Sequence, residues 1–66
     1  MQILVNGQWR QEVDAVTLAA LLEKLSLEPR RVAVELNRQI VPRSQYAKTQ
    51  LGDKDELEIV TLVGGG

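Results

Sequence analysis

The chain contains no cysteine, no histidine and no phenylalanine, and the first two absences exclude several classes of function. Without cysteine it has no disulfide framework, no thiolate zinc site and no cysteine nucleophile. Without histidine it lacks the side chain that titrates near neutral pH and that usually activates a serine or threonine nucleophile. We therefore predict that the protein is not an enzyme, and that it carries no catalytic residue, metal or bound cofactor.

The chain also lacks an excess of charge of one sign and any long apolar run. Its 66 residues hold eight lysines and arginines against nine aspartates and glutamates, so we expect no surface for nucleic acid or for an anionic membrane. The longest apolar run, residues 18–22, is far shorter than the roughly 20 residues of a membrane span. We expect one domain, since cores divide only above about 200 residues, and a cytoplasmic location.

Local patterns predict the first half of the fold. Residues 1–5 are rich in β-forming side chains, and Asn6-Gly7 is typical of a type I′ turn that leads into a second strand over 8–13. Leucines at 18, 21, 22 and 25 then form one helical stripe. With Thr17 as the N-cap and Pro29 beyond its end, the predicted helix covers about 18–26.

Alternating residues predict three further strands, over 32–36, 39–41 and 56–63, with a 3₁₀ turn at 42–46 and a turn at 51–55. The last strand can pair in parallel with the first only through a long crossover, which the helix provides. The predicted fold class is α+β: a ββαββ mixed sheet packed on one helix, the β-grasp or ubiquitin-like arrangement. It comprises a domain of residues 1–63 and a flexible glycine tail, 64–66.

Four carboxylates, Asp53, Asp55, Glu56 and Glu58, crowd around the last turn. They lack the ligand spacing and the central glycine of a calcium loop, so we interpret them as solvated turn and strand acids.

Three apolar residues are predicted to face away from the core. If Ile3 and Ile59 face the helix, then Leu4, Val60 and Leu62 lie on the other side of the sheet. Because the first and last strands should be neighbours, these three residues are predicted to form one patch for partner docking. Scattered exposed apolar residues are also normal in proteins, and that interpretation stays open.

The glycine tail is the most informative feature of the sequence. Gly64, Gly65 and Gly66 have no side chain and reach about 10 Å beyond the fold when extended. Such a segment can thread a narrow channel and bring the carboxylate of Gly66 into another protein's active site. A carboxylate is a poor electrophile until it is joined to a nucleotide phosphate, after which a sulfur or amine nucleophile can attack it. The sequence thus predicts a carrier or tag with its reactive atom on the main chain.

The chain resembles the ThiS family, the sulfur carriers of thiazole formation in bacterial thiamine biosynthesis. The resemblance covers essentially the whole sequence and rests on the following segments: Met1-Gln2-Ile3, Asn6-Gly7, the leucine helix after Thr17, Val34-Glu35-Leu36-Asn37, Ile40-Val41-Pro42-Arg43 with Tyr46, Asp53 to Val60, and Val63-Gly64-Gly65-Gly66. One departure is Lys54, where the family pattern has glycine, and lysine at positive φ is uncommon.

This resemblance implies a set of partners. A ThiF-like adenylyltransferase related to E1 enzymes would activate Gly66 with ATP, a sulfur-donor enzyme would convert the adenylate to a thiocarboxylate, and a ThiG-like thiazole synthase would accept the sulfur. Only Gly65 and Gly66 match the diglycine motif directly. Other interpretations stay open: a sulfur carrier for tRNA thiolation or molybdopterin synthesis, a ubiquitin-like protein modifier, or an interaction domain whose tail is incidental.

Overall fold

A computed structural model describes residues 1–62 of the protein. Its strands and helix are β1 (Gln2–Val5), β2 (Gln8–Gln11), α1 (Leu18–Lys24), β3 (Val32–Leu36), β4 (Gln39–Ile40) and β5 (Glu56–Thr61). Two 3₁₀ turns, Pro29–Arg31 and Arg43–Lys48, connect them. The five predicted strands and the predicted helix occur in the predicted order, which is ββαβββ once the short strand β4 is counted, and the second 3₁₀ turn is longer than predicted.

The strands form one mixed sheet in the order β2-β1-β5-β3-β4. β1 and β5 pair in parallel, while the other neighbours are antiparallel. The parallel pair is possible because α1 and the two middle strands carry the chain across the sheet between them. β5 is therefore the central strand, with β1 on one side and β3 on the other.

Both hairpins turn on an asparagine with positive φ. Asn6 and Gly7 have φ of 48° and 81°, and Asn37 and Arg38 have φ of 51° and 70°. Positive φ at both central positions is the signature of the type I′ turn, whose twist matches that of the flanking strands. Asparagine tolerates this region better than most residues, which explains why it opens each turn.

Helix α1 begins as predicted and ends two residues early. The Thr17 hydroxyl accepts a hydrogen bond of 3.1 Å from the Ala20 N–H, as an N-cap does. At the other end Ser26 has φ of 59°, and the N–H groups of Ser26 and Leu27 donate to the carbonyls of Glu23 and Leu22. This paired bonding is a Schellman motif, which closes the helix at Lys24. No helix in residues 1–62 is long and apolar enough to cross a membrane.

The core lies between α1 and one face of the sheet. Its fully buried side chains are Ile3, Leu18, Leu21, Leu22, Val34 and Leu57. Burial of each such side chain contributes about 1.5–3 kcal/mol to folding. The alternation that buries Ile3 and Leu57 turns their strand neighbours to the opposite face of the sheet, here called the outer face. Within residues 1–62, α1 packs on the buried face and leaves the outer face uncovered.

One charged side chain, Glu12, is buried at the edge of this core. β2 ends at Gln11 and not at Val13, because Glu12 turns inward to meet Lys24 at 2.6 Å and Arg10 at 3.2 Å. The hydrogen bond from Lys24, with a smaller contribution from Arg10, holds the pKa of the Glu12 carboxyl below its ordinary 4.5 although burial acts to raise it. This ion cluster ties the first hairpin to the last turn of α1.

Candidate functional site

The candidate site surrounds the point where the chain leaves β5. Leu62 follows the strand directly, and its N–H donates to the Arg31 carbonyl at 2.7 Å. The predicted tail residues Gly64, Gly65 and Gly66 lie outside the described residues, as does Val63. We call Leu62 the root of the tail. It continues directly from β5, the central strand of the sheet.

Two of the predicted docking residues lie together beside this root. Val60 and Leu62 are 58% and 44% exposed, and alternation places both on the outer face. Val60 lies opposite Ala33 on β3, which widens the apolar surface at this end of the sheet. We call Ala33, Val60 and Leu62 the root patch.

Leu4 is not part of the root patch, and in this respect the predicted contiguous surface is wrong. Leu4 lies opposite Glu56 in the parallel register, four residues before Val60. At about 3.3 Å per residue this separates the two side chains by about 13 Å along the strand. Leu4 is half-buried and pairs with Trp9 on β2, so it belongs to a second apolar spot at the other end of the outer face.

Between the two apolar spots the outer face is acidic. Glu35 and Glu58 lie directly opposite each other on β3 and β5, with Glu56 next along β5. Like charges opposite each other in a sheet are unfavourable. Within residues 1–62 neither Glu35 nor Glu58 forms an ion pair. The root patch is therefore apolar next to the tail and bordered by uncompensated negative charge.

The two turn asparagines hold β5 from both sides, a role that the sequence analysis missed. The Asn6 side chain accepts from the Ile59 N–H at 2.7 Å and donates to the Ile59 carbonyl at 3.1 Å. The Asn37 side chain accepts from the Glu56 N–H at 3.0 Å and donates to the Asp55 carboxylate at 3.1 Å. The signal that was available is the recurrence of asparagine at the first position of both hairpin turns.

In the acidic turn before β5, two side-chain carboxylates accept hydrogen bonds from backbone N–H groups. Asp53 accepts from the Gln2 N–H and Asp55 accepts from the Gly52 N–H, each at 2.7 Å. Among residues 1–62 no three acidic side chains converge as metal ligands would. The carboxylates of Asp53 and Asp55 instead shape the turn that aligns β5 with β1.

Lys54, the departure from the family pattern, keeps the turn geometry expected of glycine. Its φ is 72°, and its N–H donates to the Gln2 carbonyl at 2.7 Å. Its ammonium group lies 5.3 Å from the centre of the Trp9 ring, a cation–π distance. The lysine thus contacts the second apolar spot on the outer face.

Comparison with known sequences decides the family. The sequence model of the ThiS family matches residues 3–66. This chain belongs to the ThiS family. The ThiS-family chain is 38% identical to the sulfur carrier protein ThiS of Escherichia coli, and the match covers all of both chains.

Two further relatives of this ThiS-family chain are informative. The crystal structure of the thiamine biosynthesis protein ThiS from Geobacter metallireducens superimposes with a TM-score of 0.86 at 29% identity over the whole of both chains, which confirms the β-grasp fold. A thiazole synthase of Paramagnetospirillum magneticum is 46% identical over 66 residues. That match covers the whole ThiS-family chain but only 20% of the thiazole synthase.

Proposed function

We propose that this protein is a sulfur carrier of thiamine biosynthesis that holds its sulfur as a thiocarboxylate on Gly66. The observation that carries the proposal is membership of the ThiS family over residues 3–66, a match that includes the glycine tail. The lack of cysteine and histidine agrees with a protein that offers a main-chain atom for chemistry performed elsewhere. We place this chemistry in the cytoplasm.

The proposed chemistry takes place in two displacements. An oxygen of the Gly66 carboxylate attacks the α-phosphorus of ATP in a ThiF-like enzyme, and pyrophosphate leaves. A sulfur nucleophile at the oxidation level of sulfide, supplied by a sulfur-donor enzyme, then attacks the carbonyl carbon, and AMP leaves. The mixed anhydride has a far better leaving group than the free carboxylate, whose pKa of about 3.5 keeps it anionic. This chain contributes the carbonyl, the narrow tail and the surface that docks.

We propose a ThiG-like thiazole synthase as the acceptor of the sulfur. The thiazole synthases of Paramagnetospirillum magneticum and Magnetococcus marinus each contain a segment similar to all 66 residues of this chain, at 46% and 38% identity. The presence of such a segment within thiazole synthases supports a functional interaction between this protein and a thiazole synthase. A carrier for tRNA thiolation or molybdopterin synthesis would have a different acceptor.

The test is the mass of the protein after activation. Incubation with ATP, the ThiF-like enzyme of the same organism and a sulfur donor should increase the mass by one oxygen-to-sulfur replacement, located on Gly66 by fragmentation. A variant without Gly65 and Gly66 should stay unmodified yet keep its thermal stability, because it loses none of the described core. A lysine-linked adduct in place of the thiocarboxylate would instead establish a protein modifier.

We also propose that the root patch docks the partner, with Leu4 as a separate, second contact. Leu62→Asp should weaken binding to the adenylating enzyme by about tenfold or more, because it adds a charge to an apolar contact beside existing carboxylates. Val13→Asp is the matched control, since Val13 is 65% exposed and lies away from the sheet. Equal affinity of the two variants would show that the root patch is ordinary surface.

A further inference from the structure

One edge of β5 is open beside the root of the tail. The N–H and C=O groups of odd-numbered β5 residues point to the β1 side, as the bonds of Leu57 to the Asn6 N–H and of Ile59 to the Asn6 side chain show. Thr61 is the next in this alternation. β1 has already turned away at Asn6, and within residues 1–62 nothing pairs with the groups that Thr61 presents on that side.

A cavity lies directly below this open edge, on the helix side of the sheet. Its volume is about 310 Å³, and Thr61, Ile59 and Val5 line it together with Leu25 and Leu27 at the end of α1. Arg10 and Gln8 form its polar rim on β2. The cavity exists because β1 stops short, so that no side chain of that strand fills the space between β2 and β5.

We propose that an extended segment of the partner protein pairs with the Thr61 edge of β5, in line with β1, and inserts one apolar side chain into this cavity. An unpaired donor and acceptor on a strand edge are the features that strand addition uses. Alternation in the incoming strand would send one side chain to the cavity and its neighbours to the outer face, where the root patch lies. The backbone supplies affinity and the cavity supplies selectivity.

The occupant is the partner that takes the tail, and in this the inference rests on the proposed function. The chain passes from Thr61 through Leu62 and Val63 into the glycine tail, Gly64–Gly66, which the proposed function assigns to a partner's active site. A protein that encloses those residues must lie beside Thr61. A second copy of the chain is the competing occupant. Binding of a second copy would protect the Thr61 amide in the free protein, and that protection would increase with protein concentration.

Amide hydrogen exchange measured by NMR tests the proposal on the unaltered protein. In the free protein the Thr61 amide should exchange faster than those of Ile59 and Leu62, which donate to Asn6 and Arg31. Addition of the ThiF-like adenylating enzyme should slow Thr61 exchange at least about tenfold. A Thr61 amide that still exchanges freely in the saturated complex would overturn the proposal, as would protection in the free protein that increases with its concentration.

A pair of variants gives a second measurement. Thr61→Pro removes the N–H that the fold does not use, whereas Thr61→Val keeps the N–H and changes only the side chain. Thr61→Pro should bind the enzyme about tenfold more weakly than Thr61→Val, with similar thermal stability. Equal binding would overturn strand addition.

The two proposals fail in different ways. If the enzyme adenylates the unaltered chain while the Thr61 amide stays unprotected in the complex, strand addition is wrong and the sulfur-carrier function stands. If no adenylate forms on the unaltered chain, the carrier function itself is wrong.

Discussion

The two sides of β5 are bonded in different ways. Toward β3 the strand is paired along its whole described length, from Asn37 opposite its first residue to Arg31 opposite Leu62. Toward β1, within residues 1–62, the strand pairs with Leu4 and Val5, its Leu57 carbonyl accepts from the Asn6 N–H, and its Ile59 backbone groups bond to the Asn6 side chain, but no bond reaches Thr61. The closed side fixes the position of the strand, and the open side leaves backbone groups available next to the tail.

The strands on the two sides of β5 are also attached to the rest of the molecule by different interactions. On the β3 side Tyr46 is buried and its hydroxyl donates to the Val32 carbonyl at 3.4 Å. On the β1 side the attachment is ionic, through Glu12 with Lys24 and Arg10. An ionic attachment responds to pH, so we expect the open side of β5 to be the more sensitive one in acid.

The largest predicted effect comes from breaking the closed side. Val60→Pro should destabilise the fold by about 3 kcal/mol or more, because the Val60 N–H points toward Ala33 and proline removes it from the middle of a sheet. Thermal unfolding followed by circular dichroism measures the loss. Thr61→Pro, one residue further along β5, is the matched control. If it lowered the thermal stability as much as Val60→Pro, the two sides of β5 would not differ in their backbone bonding.

Glu12→Gln tests the ionic attachment. The neutral amide keeps the shape and loses the charge, so we expect a loss of about 2 kcal/mol at neutral pH. Because the pKa of Glu12 in the folded protein is lowered, its stabilisation is fully present above its ordinary pKa of 4.5 and is lost as the pH falls through the lower, folded value.

Denaturant unfolding from pH 7 down to pH 3 should therefore show the stability gap between the unaltered protein and Glu12→Gln narrowing as the pH falls below 4.5. Glu23→Gln is the control, since Glu23 is an exposed glutamate on α1 beside Lys24 and forms no ion pair within residues 1–62. A constant gap between the unaltered protein and Glu12→Gln down to pH 3 would contradict the ionic account.

The two turn asparagines allow the two sides to be compared directly. Glycine at position 6 or 37 keeps the positive φ of the turn and removes only the side-chain bonds to β5. Each of Asn6→Gly and Asn37→Gly should cost about 1–2 kcal/mol, because two hydrogen bonds are lost in each case.

Hydrogen exchange separates the two variants. Asn6→Gly should free the Ile59 amide and so lengthen the open edge by one bonding position. Asn37→Gly should free only the Glu56 amide at the start of the strand. Protection of Ile59 that survives Asn6→Gly would show that another group holds that edge.

The sequence here predicts the local elements and the parallel pairing of the first and last strands well, but not the register between those strands or the side-chain contacts that depend on it. Asn6-Gly7, Thr17 and the leucine stripe specify a turn, a cap and a helix face by near-neighbour chemistry, and the structure has all three. The separation of Leu4 from Val60 depends on the register between the first and last strands, which no local pattern encodes. The asparagine bonds to β5 and the burial of Glu12 depend on that same long-range assembly. The root patch could thus be predicted only in part, and the open edge not at all.

The smallest predicted effect concerns the start of β5, where Lys54 occupies a glycine-like position. Lys54→Gly removes the strain of positive φ, about 1 kcal/mol, and also a cation–π contact of about 0.5–1 kcal/mol with Trp9. These changes oppose each other, so stability should shift by less than about 0.5 kcal/mol. Lys54→Ala keeps the strain and loses the contact, and should be less stable by about 0.5–1 kcal/mol. Denaturant midpoints of the three proteins measure the difference. If Lys54→Gly were less stable than Lys54→Ala, the positive φ at position 54 would carry no strain for the contact with Trp9 to offset.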